Sequence, residues 1–163
     1  MVEIRAAQFP EDLDAVRQIF LDYAHSLDVD LCFQDFESEL AGLPGKYAAP
    51  HGRVLLAVSD GDVVGCVAMR PLEATTCEMK RLYLRPAGRG LQLGRQLAIR
   101  ICGAAKTIGY QRIRLDTLPS MQTAQQLYAT LGFKPIAAYV FNPVPGTTYL
   151  ELDLTALENH ATP

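Results

Sequence analysis

The stretch Leu82-Tyr-Leu-Arg-Pro-Ala-Gly-Arg-Gly-Leu-Gln-Leu-Gly94 decides how this chain is read. Its first residues have the alternation of a strand, and Pro86, Gly88 and Gly90 then break the extended pattern. Beyond the break Leu93, Leu97, Ile101 and Ala105 recur every four residues, with Ala98 and Cys102 beside them, which predicts an amphipathic helix closing near Gly109. The first N–H groups of a helix have no intrahelical partner, and glycine lets an oxyanion come close to them. A strand running through a glycine turn into a helix is therefore a candidate cradle for a phosphate-bearing ligand.

Working outward, the residues before this stretch form a meander. Arg53–Val58 and Val63–Met69 are β-branched runs separated by Ser59-Asp-Gly-Asp62, and Asp-Gly between such runs predicts an antiparallel hairpin. Cys77–Leu84 continues it as a further strand. At the start, Val2–Ala6 reads as a strand and Pro10-Glu-Asp-Leu-Asp14 as a helix opening, with Leu13, Val16, Ile19, Phe20 and Tyr23 at helical spacing. A second, shorter helix is expected over Phe36–Leu43. After Gly109, Arg112–Leu118 reads as a strand, Met121–Leu131 as a helix ended by Gly132, and Phe133–Phe141 and Thr147–Leu154 as two last strands. No internal repeat or linker interrupts this order. The expectation is one α/β domain over residues 1–163: a mixed, mostly antiparallel sheet of six or seven strands flanked by helices.

The bulk properties are those of an ordinary globular chain, long enough to bury roughly two-thirds of its unfolded surface. No basic segment followed by an apolar run marks a signal peptide, and no apolar stretch is long enough to span a bilayer. Cys32, Cys66, Cys77 and Cys102 lack metal or disulfide spacing and sit in apolar surroundings, as in a reduced, cytoplasmic protein. No metal site is expected. The net charge of −3 is lopsided: residues 1–40 hold ten acids against Arg5 and Arg17, whereas the remainder has five more bases than acids. The bases form no dense cluster with interleaved aromatics, which argues against nucleic acid.

Two ligand classes fit the glycine turn. Gly88-x-Gly-x-x-x-Gly94 approaches the dinucleotide fingerprint, with Asp116 near the end of the next strand where a ribose-binding acid belongs. Against it stand the glycine spacing, off by one, and the antiparallel hairpin that precedes the motif. The second class comes from resemblance. From Glu78 to Phe133 the sequence resembles the GCN5-related N-acetyltransferase (GNAT) superfamily, in which a strand leads into Q/R-x-x-G-x-G/A at a helix start. The matching run is Arg89-Gly-Leu-Gln-Leu-Gly94, with Gln92 in place of the middle glycine. Ala124-Gln-Gln-Leu-Tyr-Ala-Thr-Leu-Gly-Phe133 matches the family's A-x-x-L-Y-x-x-L-G-F helix end, and Met121 stands where many members have Asn.

The resemblance implies acetyl transfer from acetyl-CoA to an amine. It places the diphosphate on the backbone of Arg89, Gly90, Leu91, Gln92, Leu93 and Gly94, with Arg89 and Arg95 flanking the helix start to pair with phosphate, and the pantetheine and acetyl carbonyl against the backbone of Leu82, Tyr83 and Leu84. Tyr128 would protonate the departing thiolate, and Glu78 would take the proton of the amine. The acceptor would lie between the first two helices and the segment Tyr139–Gly146, and the acidic first forty residues point to a cationic amine, small molecule or peptide. A homodimer is a further expectation. The alternative on the same scaffold is a non-catalytic acyl-CoA-binding or sensor domain.

Overall fold

The computed structural model describes residues 1–27 and 35–157. Cys32, Asp28 and Asp30 lie outside the described residues. Seven strands form one sheet in the order β1-β2-β3-β4-β5-β7-β6: β1 (Val2–Ala6), β2 (Arg53–Ser59), β3 (Asp62–Glu73), β4 (Thr76–Leu84), β5 (Arg112–Thr117), β6 (Lys134–Ile136) and β7 (Thr148–Asp153). All neighbours run antiparallel except β4 and β5. Four α-helices cover the sheet: α1 (Leu13–Ser26), α2 (Phe36–Ala41), α3 (Leu93–Ile108) and α4 (Gln122–Leu131).

Local chemistry accounts for the connections. Asp60 and Gly61 both adopt positive φ, 50° and 85°, which matches the right-handed twist of the β2–β3 hairpin. Gly109, at φ 120°, ends α3, and its N–H donates to the carbonyls of Ala105 and Lys106. Gly132, at φ 98°, ends α4 in the same manner.

The core lies in two layers, one on each face of the sheet. On one face α3 buries Leu93, Leu97, Ala98, Ile101, Cys102 and Ala105 against Leu55, Val67, Met69, Cys77, Met79, Ile113 and Leu115. Each fully buried Leu or Ile of this stripe contributes about 2 kcal/mol, so Leu97→Ala, leaving a cavity, would cost about 3 kcal/mol. On the other face Val16, Ile19 and Phe20 of α1 and Phe36 of α2 pack on Val54, Leu56, Cys66 and Ala68. Alternation along β4 and β5 sends Met79 and Leu115 to the α3 face and Glu78, Lys80 and Asp116 to the α1 face.

Three expectations change. Pro10 does not open the first helix; the Phe9–Pro10 bond is cis and α1 begins at Leu13. Asp12 precedes it, but its carboxylate is taken by Arg5 at 2.7 and 3.0 Å and by the Gln8 N–H at 2.7 Å. The second helix ends at Ala41, before Pro44. The strand expected over Phe133–Phe141 shrinks to Lys134–Ile136, an edge strand bonded only to β7. Beyond it side chains replace the ladder: Tyr149 donates to the Val140 carbonyl, and Asn142 accepts from the Val144 N–H.

Candidate functional site

β4 and β5 pair only at Thr76, Cys77 and Glu78 opposite Arg112, Ile113 and Arg114. From Met79 onward the two strands part, and a cleft of about 850 Å³ opens between them. Parallel strands joined by a helix can separate in this way because neither is held by a hairpin at the open end. The cleft passes from the glycine turn and α3, on one face, to Tyr23 and Ser26 of α1 and the following Leu27 on the other.

The cradle end is built from the backbone. Gly90 has φ 89° and Gln92 φ 55°, so the chain turns twice through left-handed geometry before Leu93 starts α3. Gln92 is the N-cap, yet its side chain makes no capping bond; the first bond of the helix runs from the Gln96 N–H to the Gln92 carbonyl at 3.1 Å. The donors of the first turn thus have no capping side chain among the described residues, at the positive end of a sixteen-residue helix. Gly94 faces the cleft. A Cβ built there would meet only Leu84 at 3.6 Å and Leu127 at 4.0 Å, both lining residues. Gly88 is structural instead, since a Cβ would come within 2.8 Å of the Val64 carbonyl.

Of the residues expected at this end, Leu82, Tyr83, Leu84, Arg89, Gly90, Gln92, Leu93, Gly94 and Arg95 all line the cleft. Leu91 does not; its side chain is exposed. Arg89 is exposed with no side-chain partner among the described residues, and Arg95 donates to Thr130 Oγ1 at 3.0 Å. Met121 also lines the wall and contributes no polar group beyond a weak contact from Thr117.

Tyr128, from the last turns of α4, is 6 % exposed and faces the cleft, with its ring 5.5 Å from that of Phe133. Its hydroxyl has no hydrogen-bond partner among the described residues, although no fully enclosed polar atom there is left unpaired. The phenol therefore opens on the cavity. Burial first, and then the nearby Tyr23, Cys102 and Asp116, hold its pKa far above the ordinary phenol value, so it stays protonated.

Glu78 is not brought to the cleft. It is 1 % exposed, and both carboxylate oxygens are occupied: Oε1 accepts from Arg70 Nε at 3.1 Å and Oε2 from the Tyr139 hydroxyl at 2.7 Å. A carboxylate so engaged belongs to a buried charge network. The network continues through Arg70 to Glu39, which also accepts from Arg81 Nη2 and the Tyr47 hydroxyl, both at 2.9 Å. The Arg81 guanidinium lies 5.1 Å from the Phe36 ring centroid and 5.5 Å from that of Tyr23. Arg81 is also the kink of β4: its φ is 64°, and the register with β3 shifts between Cys66 and Ala68. The bulge turns two successive basic side chains, Lys80 and Arg81, toward α1 and α2.

Sequence reading missed the pair at the fork. Lys80 Nζ lies 3.8 Å from Asp116 Oδ1, with side chains 5 % and 9 % exposed, and both residues line the cleft. Asn142 donates to Asp116 Oδ2 at 3.1 Å. The segment Tyr139–Gly146 thus supports Glu78 and Asp116 from behind and does not itself line the cavity. The signal was faint: a lysine two residues after a strand glutamate, and an aspartate already considered for a ribose. Of the acids among the first forty, none that is described lines the cleft; Asp12, Asp22 and Glu39 are each paired with an arginine. The thiols are inert, with burial pushing those of Cys66 and Cys102 up to about 12. Among the described residues no group of three or more His, Cys, Asp or Glu could hold a metal ion, and no helix is long and apolar enough to cross a membrane.

A family model described as acetyltransferase (GNAT) family matches residues 13–133. The chain belongs to the GNAT acetyltransferase family. An uncharacterised N-acetyltransferase of Schizosaccharomyces pombe is 39% identical over 156 residues, covering 94% of this chain and 96% of that protein. A GNAT acetyltransferase from Staphylococcus aureus Mu50 superposes with a TM-score of 0.78 at 18% identity, over 94% of this chain and 99% of the other. The Salmonella typhimurium acetyltransferase yncA, solved with its cofactor acetyl-CoA, superposes with a TM-score of 0.66 at 23% identity, over 100% of this chain and 98% of the other. The fold and the enzyme class follow: a GNAT-type mixed sheet, and an acetyl-CoA-dependent N-acetyltransferase by family.

Proposed function

We propose that this GNAT chain binds acetyl-CoA along the β4–β5 cleft and transfers the acetyl group to an amine that enters from the α1 side. The observation that carries this reading is the pairing, in one cavity, of an uncapped helix start at Gln92–Arg95 with the unpartnered hydroxyl of Tyr128. First-turn N–H groups would hold the diphosphate, with Gly94 giving it room and Arg89 and Arg95 adding positive charge at the mouth. The edge of β4 that β5 abandons after Glu78 leaves main-chain groups of Leu82, Tyr83 and Leu84 for the pantetheine arm and the carbonyl.

Acetyl-CoA supplies the activated thioester. Asp116, the carboxylate of the cleft among the described residues, receives a proton from the incoming ammonium, and Asn142 holds it in place. The freed amine forms the C–N bond as the C–S bond breaks. Tyr128 gives its proton to the leaving sulfur, which suits a phenol that burial keeps protonated, and the second proton of the acylated nitrogen restores the phenol. Glu78 takes no part in this scheme, because Arg70 and Tyr139 occupy both its oxygens.

Calorimetric titration with acetyl-CoA, followed by an assay of CoA release across candidate amines, tests the proposal. Saturable binding with amine-dependent CoA release is expected. No heat and no thermal stabilisation at millimolar acetyl-CoA would overturn it, because a native-state ligand must stabilise by mass action. Binding without release for any amine would make the chain an acyl-CoA-binding domain.

A further inference from the structure

The acceptor end of the cleft has a charge pattern that the reading above does not explain. Among the described residues, five charged ones line the cavity: Lys80, Arg81, Arg89, Arg95 and Asp116. Arg89 and Arg95 belong to the glycine turn. Arg81 is committed to Glu39 through Nε at 3.1 Å and Nη2 at 2.9 Å. That leaves Lys80 and Asp116 where the strands part. They stand 3.8 Å apart, beyond hydrogen-bond reach, and Lys80 Nζ donates to no acceptor among the described residues. No side-chain N or O among the described residues is both enclosed and unpaired, so the Lys80 ammonium opens on the cavity with its three donors unused; burial, ahead of the opposing charges of Glu78 and Asp116, lowers its pKa. Asp116 is half satisfied, with Oδ2 taken by Asn142 and Oδ1 turned toward Lys80.

Two opposite charges that face one cavity and pair with each other only at 3.8 Å can bond more closely to a molecule carrying the complementary pair. We infer that the acceptor is a zwitterion of the amino-acid class, its carboxylate taken by Lys80 and its ammonium by Asp116. This rests on the proposed acetyl transfer and names the substrate class of that site. It replaces the cationic acceptor expected from the acidic first forty residues, whose described carboxylates lie outside the cleft and in part pair with Arg5, Arg70, Arg81 and Arg85. The step balances: Asp116 takes one proton from the bound ammonium, the amine takes the acetyl group as the C–S bond breaks, Tyr128 protonates the sulfur, the second proton of the acylated nitrogen returns to the Tyr128 phenolate, and Lys80 keeps its proton as the counter-charge of the carboxylate. Lys80 is here a specificity residue that touches the acceptor.

The test uses the full chain, acetyl-CoA and a panel of free α-amino acids, each beside its α-carboxamide. CoA release is followed for the wild type and for Lys80→Met. The expected result is that at least one free acid exceeds its amide in kcat/KM by about 100-fold or more, the scale of a desolvated charged contact. In Lys80→Met that ratio should fall to about 1, through the acid alone, while acetyl-CoA affinity stays within twofold. Lys80→Met takes the ion-pair partner from Asp116, so a melting curve checks that the variant is folded. Should the variant be unfolded, the wild-type ratio and its decline on methylating the substrate carboxylate still decide. Amides or simple amines used as well as the acids would overturn the inference, as would equal losses for acid and amide in Lys80→Met or silence across the whole panel. None of these touches the acetyl-CoA reading, which stands or falls on calorimetry.

Discussion

Replacing Gly94 with alanine separates the proposed ligand site from the fold more cleanly than any other single change. Gly94 is the second residue of α3, and its φ is not in the left-handed region, so alanine adopts the same backbone. Space is also available: the added methyl would sit 3.6 Å from Leu84 and 4.0 Å from Leu127, ordinary contact distances. Alanine is a better helix former than glycine by up to about 1 kcal/mol, less near a terminus, so the free protein should gain about 0.5 kcal/mol. For a chain of this size that is about 1–2 °C in Tm. The same methyl projects among residues lining the cleft, beside the N–H groups assigned to the diphosphate. If those groups grip it, acetyl-CoA affinity should fall at least about tenfold, or about 1.4 kcal/mol. Calorimetry and a thermal melt on the same preparation read both effects. Opposite signs are the expected result. Unchanged affinity would refute the cradle, and a lower Tm would refute the packing argument. Gly90→Ala is the control: at φ 89° with nothing near its Cβ position it should lose stability by about 1 kcal/mol through backbone strain alone.

Further outcomes follow from the same geometry. Gln92→Gly should stabilise by about 0.5 kcal/mol without weakening acetyl-CoA binding, because φ 55° costs glutamine more than glycine loses in chain entropy; denaturant melts and calorimetry check it. Tyr128→Phe should leave stability within about 0.5 kcal/mol, since its hydroxyl bonds to no described group. Acetyl-CoA affinity should likewise persist, while kcat drops about 100-fold or more in a CoA-release assay. Glu78→Gln should cost about 2 kcal/mol in urea unfolding by removing the nearer of Arg70's two carboxylate partners, yet keep kcat per folded molecule near wild type; a large kcat loss at full folding would return Glu78 to the chemistry. Asp12→Asn should destabilise by about 1 kcal/mol at pH 7. The hydrogen bond from Arg5 holds the Asp12 carboxyl below its unfolded value near 3.9, so this contribution is complete above about pH 4 and disappears as pH falls through the lowered value. Melts of wild type and variant should therefore converge in acid.

What the sequence determined by itself is whatever neighbouring residues decide. The Asp60-Gly61 hairpin, the α3 stripe from Leu93 to Ala105, and the stops at Gly109 and Gly132 depend on spacing and on glycine's freedom at positive φ, and each appears where expected. The glycine turn belongs with them: a helix start after a strand and a glycine break is a local fact that singles out Gly94, whereas Tyr128 was singled out only through the resemblance to the GNAT family. The edge segment after Ile136 could not be read in this way, because side chains from distant residues hold it in place of a ladder. Tertiary structure alone decided the fate of the charges. Glu78 and Lys80 share one face of β4, yet the first is enclosed by Arg70 and Tyr139, while the second opens on the cleft beside Asp116, thirty-six residues away. Which carboxylate is sealed and which faces the cleft depends on where two strands part and on what the bulge at Arg81 turns inward. Those are properties of long-range pairing, and no local pattern encodes them.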